Sequence, residues 1–244
     1  MLAIFSSMQF ESAAILKHLK NVNTGEIAGK TFYKGRLRAI DIILLNTGIG
    51  KVNAAVSAAC ILERFPVENV INLGVGGAYP GAGLQKGDIA VATREIYGDE
   101  GVITSRGYEG METIGIPLLQ MDGRRYFNEF PVSASLLLAP SAKVDMTVPA
   151  GRGDFKMKSG SFVTVSAATG TRRRTEELQR RFKPVCENME GAAIAQVCAI
   201  YKIPMLEVRG ISNIVGIRDK RKWNLELASE NCQRAVLDAM GIKP

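Results

Sequence analysis

Short apolar runs alternate along the chain with segments of helical period, and that alternation is the first thing the sequence offers. Leu2–Phe5 reads as a buried strand, followed by a turn at Ser6-Ser7 and a helix from about Phe10 to Leu19. Ile27–Tyr33 and Arg36–Leu45 alternate or run apolar around Lys34-Gly35, which predicts a hairpin. The Gly-rich turn Asn46–Lys51 opens a helix over Val52–Phe65. Val67–Leu73 predicts another strand, ending in a glycine loop from Gly74 to Gly81, and Asp88–Tyr97 predicts the next. Residues 98–131 are mixed and Gly-rich, a long excursion of the kind that carries function. Val132–Leu138 reads as a short helix, Ser161–Ala168 as an alternating strand and Thr175–Phe182 as an amphipathic helix. Residues 184–214 read as strand, helix to about Lys202, and a second strand from Pro204 to Ile211 that ends in Ser212-Asn213. A last helix near Asn224–Met240 is long enough to cover one sheet face. No composition shift marks a boundary, so residues 1–244 are expected to form one α/β domain around a central, parallel or mixed sheet.

Composition narrows the function classes. With 46% hydrophobic and 23% charged residues and no repeats, the chain is expected to bury a large core. A net charge of +7 suits nucleic acid, a membrane surface or an acidic small molecule. No aromatic-rich basic strand or recognition helix accompanies that charge, so nucleic acid is set aside. The bursts Arg172-Arg173-Arg174 and Lys220-Arg221-Lys222 read as solvated faces. No stretch is long and apolar enough to span a membrane, and the N-terminal run lacks a basic flank, so a cytoplasmic protein is expected. Four scattered cysteines without a CxxC pair suggest buried thiols in a reducing compartment. The single histidine, His18, leaves little for a His/Cys metal site or a histidine-based triad, and no metal or cofactor is called for.

Two glycine clusters invite a phosphate reading. Gly48-x-Gly50-Lys51 matches only the tail of a phosphate-binding loop, and a tight strand-to-helix turn explains it. The cluster Gly74–Gly77 does not open into a helix, as a dinucleotide fingerprint would. Three predicted strand ends then carry polar groups: Glu11, the Gly74–Ala78 loop, and the set Glu190, Arg209 and Asn213. Glu11 taken on spacing alone is more readily an acid favoured by the dipole of the first helical turn. Two carboxylates, a cation and a carboxamide without histidine or metal suit acid/base chemistry on a neutral polyol.

At Asn72–Tyr79, Tyr97–Val102, Asn188–Ala193 and Arg209–Asn213 the chain resembles the purine nucleosidase and nucleoside phosphorylase family, and most its futalosine hydrolase branch in menaquinone biosynthesis. The resemblance implies a three-layer α/β/α domain with a central mixed sheet and an enzyme that hydrolyses an N-ribosidic bond through an oxocarbenium-like transition state. In the family pattern Glu11 orients and deprotonates the attacking water, and Glu190 accepts from the ribose hydroxyls. Met189 packs on the ribose, Arg209 supports the water-side network, and Val75, Gly76, Gly77 and Ser212 belong to the substrate-binding surface. Phe162 is expected under the purine with the Val163 backbone at the base edge; taken alone, Phe162 is an ordinary core aromatic. The family also implies a homodimer, or a larger assembly built on dimers, whose active sites borrow residues from the neighbouring subunit.

Two departures from the pattern shape the expected substrate. Asn213 stands where adenine-specific relatives carry Asp. A carboxamide donates but transfers no proton, which fits the N7 and O6 acceptors of a 6-oxopurine such as hypoxanthine, although it also pairs with adenine. Val75 stands near a position where phosphorylases use Ser to hold phosphate, and Asn72 offers no cation there, which favours water as the nucleophile. The expected substrate is therefore futalosine, whose distal carboxylate would meet Arg106, Arg152 or Arg218. The competing readings are an adenine-releasing nucleosidase, a purine nucleoside phosphorylase and a non-catalytic nucleoside-binding module; a second carboxylate at the water position argues against the last.

Overall fold

The computed structural model of the protein describes residues 1–139, 142–146 and 155–242. Among these, ten strands share one mixed sheet: β1 (Leu2–Ser6), β2 (Lys20–Ile27), β3 (Lys30–Leu37), β4 (Ile40–Asn46), β5 (Asn69–Ala78), β6 (Ile89–Tyr97), β7 (Glu129–Pro131), β8 (Met157–Thr164), β9 (Cys186–Asn188) and β10 (Met205–Ile214). The main helices are α1 (Ala13–His18), α2 (Lys51–Arg64), α3 (Arg172–Phe182), α4 (Gly191–Tyr201) and α5 (Leu225–Ala239).

One half of the sheet is open. β1 lies between β4 and β5, parallel to both, and β3 and β2 extend it as an antiparallel edge. The other half closes on itself. β5 pairs with β10 in parallel, β10 with β6 antiparallel, β6 with β8 and β8 with β9 in parallel, and β9 returns antiparallel to the end of β5. Long strands make this closure possible, because β5 and β10 run for 10 residues each and twist accumulates along them. Register shifts at Ile211/Asn213 and Gly160/Ser161 add the local bends that a curled sheet needs.

Helices cover both faces, as the three-layer expectation requires. α2 and α4 pack on each other and bury Ala54, Ala58 and Ile61 against Ala195 and Cys198. α4 is apolar nearly all round, and a helix of that composition belongs inside. α5 lies on the opposite face, where Val236 and Leu237 pack in the cluster of Ile4, Leu73 and Val208. Truncating Ile61, which has no exposed surface, to Ala would cost ~2–5 kcal/mol. No helix among the described residues is long and apolar enough to cross a membrane.

The structure corrects four sequence expectations. Lys34 and Gly35 lie inside β3; the chain turns instead at Ala28-Gly29, both with positive φ. The polar strand β2 escaped the pattern because it is an edge strand exposed for most of its length. Gly74–Ala78 is not a loop but the second half of β5. Val132–Leu138 is not helical: Ser135–Ala139 pairs antiparallel with Ala142–Asp145. The excursion of residues 98–131 resolves into small hairpins, one helical turn at Met111–Ile114, and β7.

Candidate active site

A cavity of about 360 Å³ opens at the carboxyl ends of β1, β5, β9 and β10, where ligands of open α/β sheets sit. Glu11, Val75, Gly76, Gly77, Met189, Glu190, Ser212 and Asn213 line it, so most of the expected site residues come together. A larger cavity of about 700 Å³ lies between the Met121–Tyr126 hairpin and the end of α4, but none of the buried carboxylates faces it.

Glu11 sits in a single 3-10 turn between β1 and α1. Its Oε2 accepts the Met8 N–H at 2.8 Å and its Oε1 the Val75 N–H at 2.8 Å. The carboxylate therefore caps its own turn and also reaches the edge of β5. Burial pushes its carboxyl above the usual carboxylate range, against the lowering pull of Arg209 and of the two N–H bonds. A base of raised affinity for protons, held by two backbone donors, suits the removal of a proton from water. Gly74 makes room for it: a Cβ there would stand 2.6 Å from Glu11 Oε1 and 2.9 Å from Arg209 Nη1.

Arg209 projects from β10 behind the cavity wall and is 1% exposed, which in a guanidinium demands partners. Its Nε donates to Glu207 Oε1 at 2.9 Å, Nη2 lies 2.8 Å from the same oxygen, and Nη1 lies 3.7 Å from Glu190 Oε2. Burial opposes its charge, but Glu207, Glu190 and Glu11 together raise its pKa above its ordinary value, so it remains a cation. Glu190 in turn accepts the Gly50 N–H at 2.9 Å. Gly50 holds φ 95° at the start of α2, a conformation that glycine supplies without strain. The neighbouring Lys51 Nζ is occupied by Asp99 and Glu100, each at 2.6 Å, so this turn joins two elements and cradles no phosphate.

A second tier of buried groups sets Glu190. Asn188 Oδ1 accepts the N–H groups of Glu190 at 3.0 Å and Gly191 at 2.7 Å, and its Nδ2 donates to Glu95 Oε1 at 2.6 Å. Glu95 and Glu207 have no exposed surface, and their carboxyl groups face each other across the Cα of Gly191. Beside Arg209, the Glu207 carboxylate is met by the side chains of Asn72 and Glu95, and a proton held on Glu95 completes the acid pair. Burial, and next the Glu207 charge, push the Glu95 carboxyl well above its usual range, which favours its holding that proton.

At the other end of the cavity lies a carboxamide. Asn213 Nδ2 donates to the Ile214 carbonyl at 3.2 Å, and the Ser212 hydroxyl lies 2.8 Å from Asn213 Oδ1. The Ile214 carbonyl requires a donor and so fixes the amide orientation. Nδ2 keeps a second N–H for the cavity.

Phe162 and Val163 are not brought to the site. Both are fully buried: as neighbours in β8 they point to opposite faces, and both faces are packed where the sheet closes on itself. The segment beyond the strand, Ala168-Thr169, lines the cavity instead. Of the three arginines considered for a distal carboxylate, Arg218 lines the cavity and stacks 4.8 Å over Trp223, which lines it too. Arg106 pairs with Glu109 in a surface hairpin outside the cavity, and Arg152 lies outside the described residues. Sequence reasoning missed Glu95, Glu187 and Glu207. The available signal was an acid beside apolar residues in each of three strand segments, Glu95 before Ile96, Glu187 after Cys186 and Glu207 between Leu206 and Val208, a placement that requires a partner.

A sequence model described as "Phosphorylase superfamily" matches residues 1–242. Futalosine hydrolase of Thermus thermophilus is 34% identical over 200 residues, covering 82% of this chain and 81% of that protein. The 5'-methylthioadenosine/S-adenosylhomocysteine nucleosidase of Halalkalibacterium halodurans is 31% identical over 243 residues, covering 98% and 97%. Among solved structures, the nucleosidase of that kind from Colwellia psychrerythraea in complex with adenine superposes with TM-score 0.78 at 25% identity, over 98% of this chain and 94% of that one. With a family match that spans residues 1–242, the chain belongs to the phosphorylase superfamily.

Proposed function

We propose that the protein is a nucleosidase that hydrolyses the N-ribosidic bond of futalosine, releasing hypoxanthine and dehypoxanthine futalosine in menaquinone biosynthesis. The observation that carries this reading is the amide of Asn213 in the cavity lining, held with Nδ2 on the Ile214 carbonyl and with a second N–H left to donate. The N7 and O6 acceptors of a departing 6-oxopurine match that donor, and the charge that develops on the base strengthens the bond. Water enters beside Glu11, which takes its proton as the C–N bond breaks and the new C–O bond forms. Glu190 accepts from the ribose hydroxyls while the sugar is cationic, and Met189 packs on the ribose. Arg209 stays behind Glu11 and Glu190 and holds both carboxylates in place. Its guanidinium is engaged with Glu207, Glu190 and the Val75 carbonyl, which leaves it poorly placed to hold a phosphate and supports hydrolysis over phosphorolysis.

Arg218, on the face of Trp223 at the cavity rim, is the cation for the distal carboxylate of futalosine. Phe10, Ile49, Val52 and Leu225 leave large apolar side chains exposed at or beside the same rim, which supports a homodimer that covers it.

An adenine-releasing nucleosidase is the second reading, favoured by the 31% identity to the Halalkalibacterium halodurans enzyme over nearly the whole chain. Incubation with futalosine and with methylthioadenosine, with and without phosphate, and identification of the released base separates the two. Hypoxanthine from futalosine without phosphate is the expected result. Adenine as the main product overturns the reading, and strict phosphate dependence replaces hydrolysis by phosphorolysis.

A further inference from the structure

Gly77 is flanked in the sheet by two polar residues at the same level. Its register partner on β10 is Asn213, and its partner on β9 is Glu187. Register partners project to the same face of a sheet, and neighbouring strands lie ~4.8 Å apart, so the two side chains stand on either side of a gap that the glycine leaves open. A Cβ on Gly77 would come 3.0 Å from Val215 Cγ2 and 3.2 Å from Asn213 Nδ2, so the glycine leaves the amide its room. All three residues line the cavity.

Glu187 is 8% exposed, and no cation pairs with it among the described residues. Its Oε2 accepts the Tyr79 hydroxyl at 2.9 Å and its Oε1 the Thr169 N–H at 2.9 Å. Each bond uses one lone pair of its oxygen and leaves the other available. Burial and the nearby Glu187 charge raise the Tyr79 pKa far above its ordinary value, so that hydroxyl remains a donor. Glu187 is thus a fixed, buried acceptor that faces the cavity, with no part in the water-side chemistry of Glu11, Glu190 and Arg209. A buried carboxylate kept in such a place needs a donor from whatever fills the cavity.

We propose that Glu187 is a specificity-determining residue that accepts the N1–H of a 6-oxopurine while Asn213 donates to its N7/O6 side. This rests on the reading of the cavity as a nucleoside site. Around the six-membered ring a 6-oxopurine presents an acceptor at O6 and then a donor at N1, and the pair Asn213 and Glu187 is the complement of that order. Adenine reverses both positions, setting its N6 amino group against the Asn213 donor and its N1 lone pair against the carboxylate. One residue alone would discriminate weakly, since Asn also pairs with adenine. Two residues that reverse together discriminate strongly, because the wrong base leaves both buried groups unmatched.

The test measures hypoxanthine and adenine as inhibitors, and kcat/KM for futalosine against its 6-amino counterpart, aminodeoxyfutalosine, in the unmodified enzyme and in Glu187→Gln and Glu187→Asp. The unmodified enzyme is expected to favour the 6-oxo compounds by about 10- to 100-fold or more. Gln, which turns an N–H towards adenine N1, is expected to bring that ratio to within about threefold of unity or to reverse it. Asp, which keeps the acceptor, is expected to retain most of it. A ratio unchanged in Glu187→Gln overturns the inference while leaving the hydrolase reading intact; an unmodified enzyme that favours adenine overturns both. If Glu187→Gln does not fold, 1-methylhypoxanthine serves in the unmodified enzyme: inhibition equal to that by hypoxanthine overturns the inference, and inhibition weaker by about tenfold or more supports it.

Discussion

Glu11 and Val75 are joined by a hydrogen bond of 2.8 Å from the backbone N–H of β5 to the carboxylate. Together with the Met8 N–H, this backbone donor aims the proposed base, while the Arg209 charge lies behind it, and substitution of the carboxylate leaves these groups in place. Glu11→Gln is expected to lower kcat by about 10²- to 10⁴-fold, the usual contribution of a positioned base, with little change in nucleoside binding. Single-turnover rates alongside equilibrium binding check this, and near-normal turnover removes Glu11 from the mechanism.

The same carboxyl predicts the acid limb of activity. Because burial raises its pKa above the ordinary 4.5, the active carboxylate form is lost at a higher pH than for an exposed Glu. A kcat/KM profile that falls only near or below pH 4.5 contradicts this assignment.

Glu95 contributes to the pH dependence of stability, in the same direction as Glu11 and Glu207, whose carboxyls burial also raises. Its folded pKa lies above its unfolded one, so between pH 4.5 and that raised value the folded chain binds more protons than the unfolded chain. Its contribution to stability is fully present at the acid end of this window and declines as pH rises through it. Glu95→Gln keeps a neutral donor to Glu207 and is expected to flatten that decline. Urea unfolding of both proteins across the window measures the slope.

Glu207→Gln removes the carboxylate that pairs with a 1%-exposed Arg209. An uncompensated buried guanidinium costs ~3–5 kcal/mol, and loss of that order in denaturant unfolding is expected. A loss near zero would mean that Glu11 and Glu190 suffice to hold the cation.

Asn213→Asp introduces a group that can pass a proton to N7, and it is expected to raise turnover of adenine nucleosides relative to futalosine. An unchanged ratio removes Asn213 from base reading. Arg218→Ala is expected to raise KM for futalosine by about tenfold while leaving KM for methylthioadenosine, which has no distal carboxylate, nearly unchanged.

Much of the fold was legible because burial writes itself into local pattern. The apolar runs at Leu2–Phe5, Asp88–Tyr97 and Pro204–Ile211 and the small-residue helix after Glu190 each have one stable environment, and the structure puts them there. Edge strand β2, mostly polar and solvent-facing, carries no such imprint, and the Ser135–Ala139 hairpin was mistaken for helix because short apolar segments do not reveal their period.

The candidate site divides in the same way. Glu11, Glu190, Ser212 and Asn213 stand at predicted strand ends, which sequence order places at the mouth of an α/β sheet, and Met189 was added by the family resemblance. Phe162 and Val163 went wrong because alternation says that a strand has two faces but not which one meets the cavity; closure of β5, β10, β6, β8 and β9 decided that. The partners that matter most are nonlocal. Glu95 beside Glu207, Asn188 against Glu95, and Glu187 and Asn213 on either side of Gly77 are pairings between strands distant in the chain. Residue type announced that each buried acid needs a partner, since an unpaired charge in a core is too costly to keep. Which partner it found depended on strand order and register, and only the tertiary structure set those.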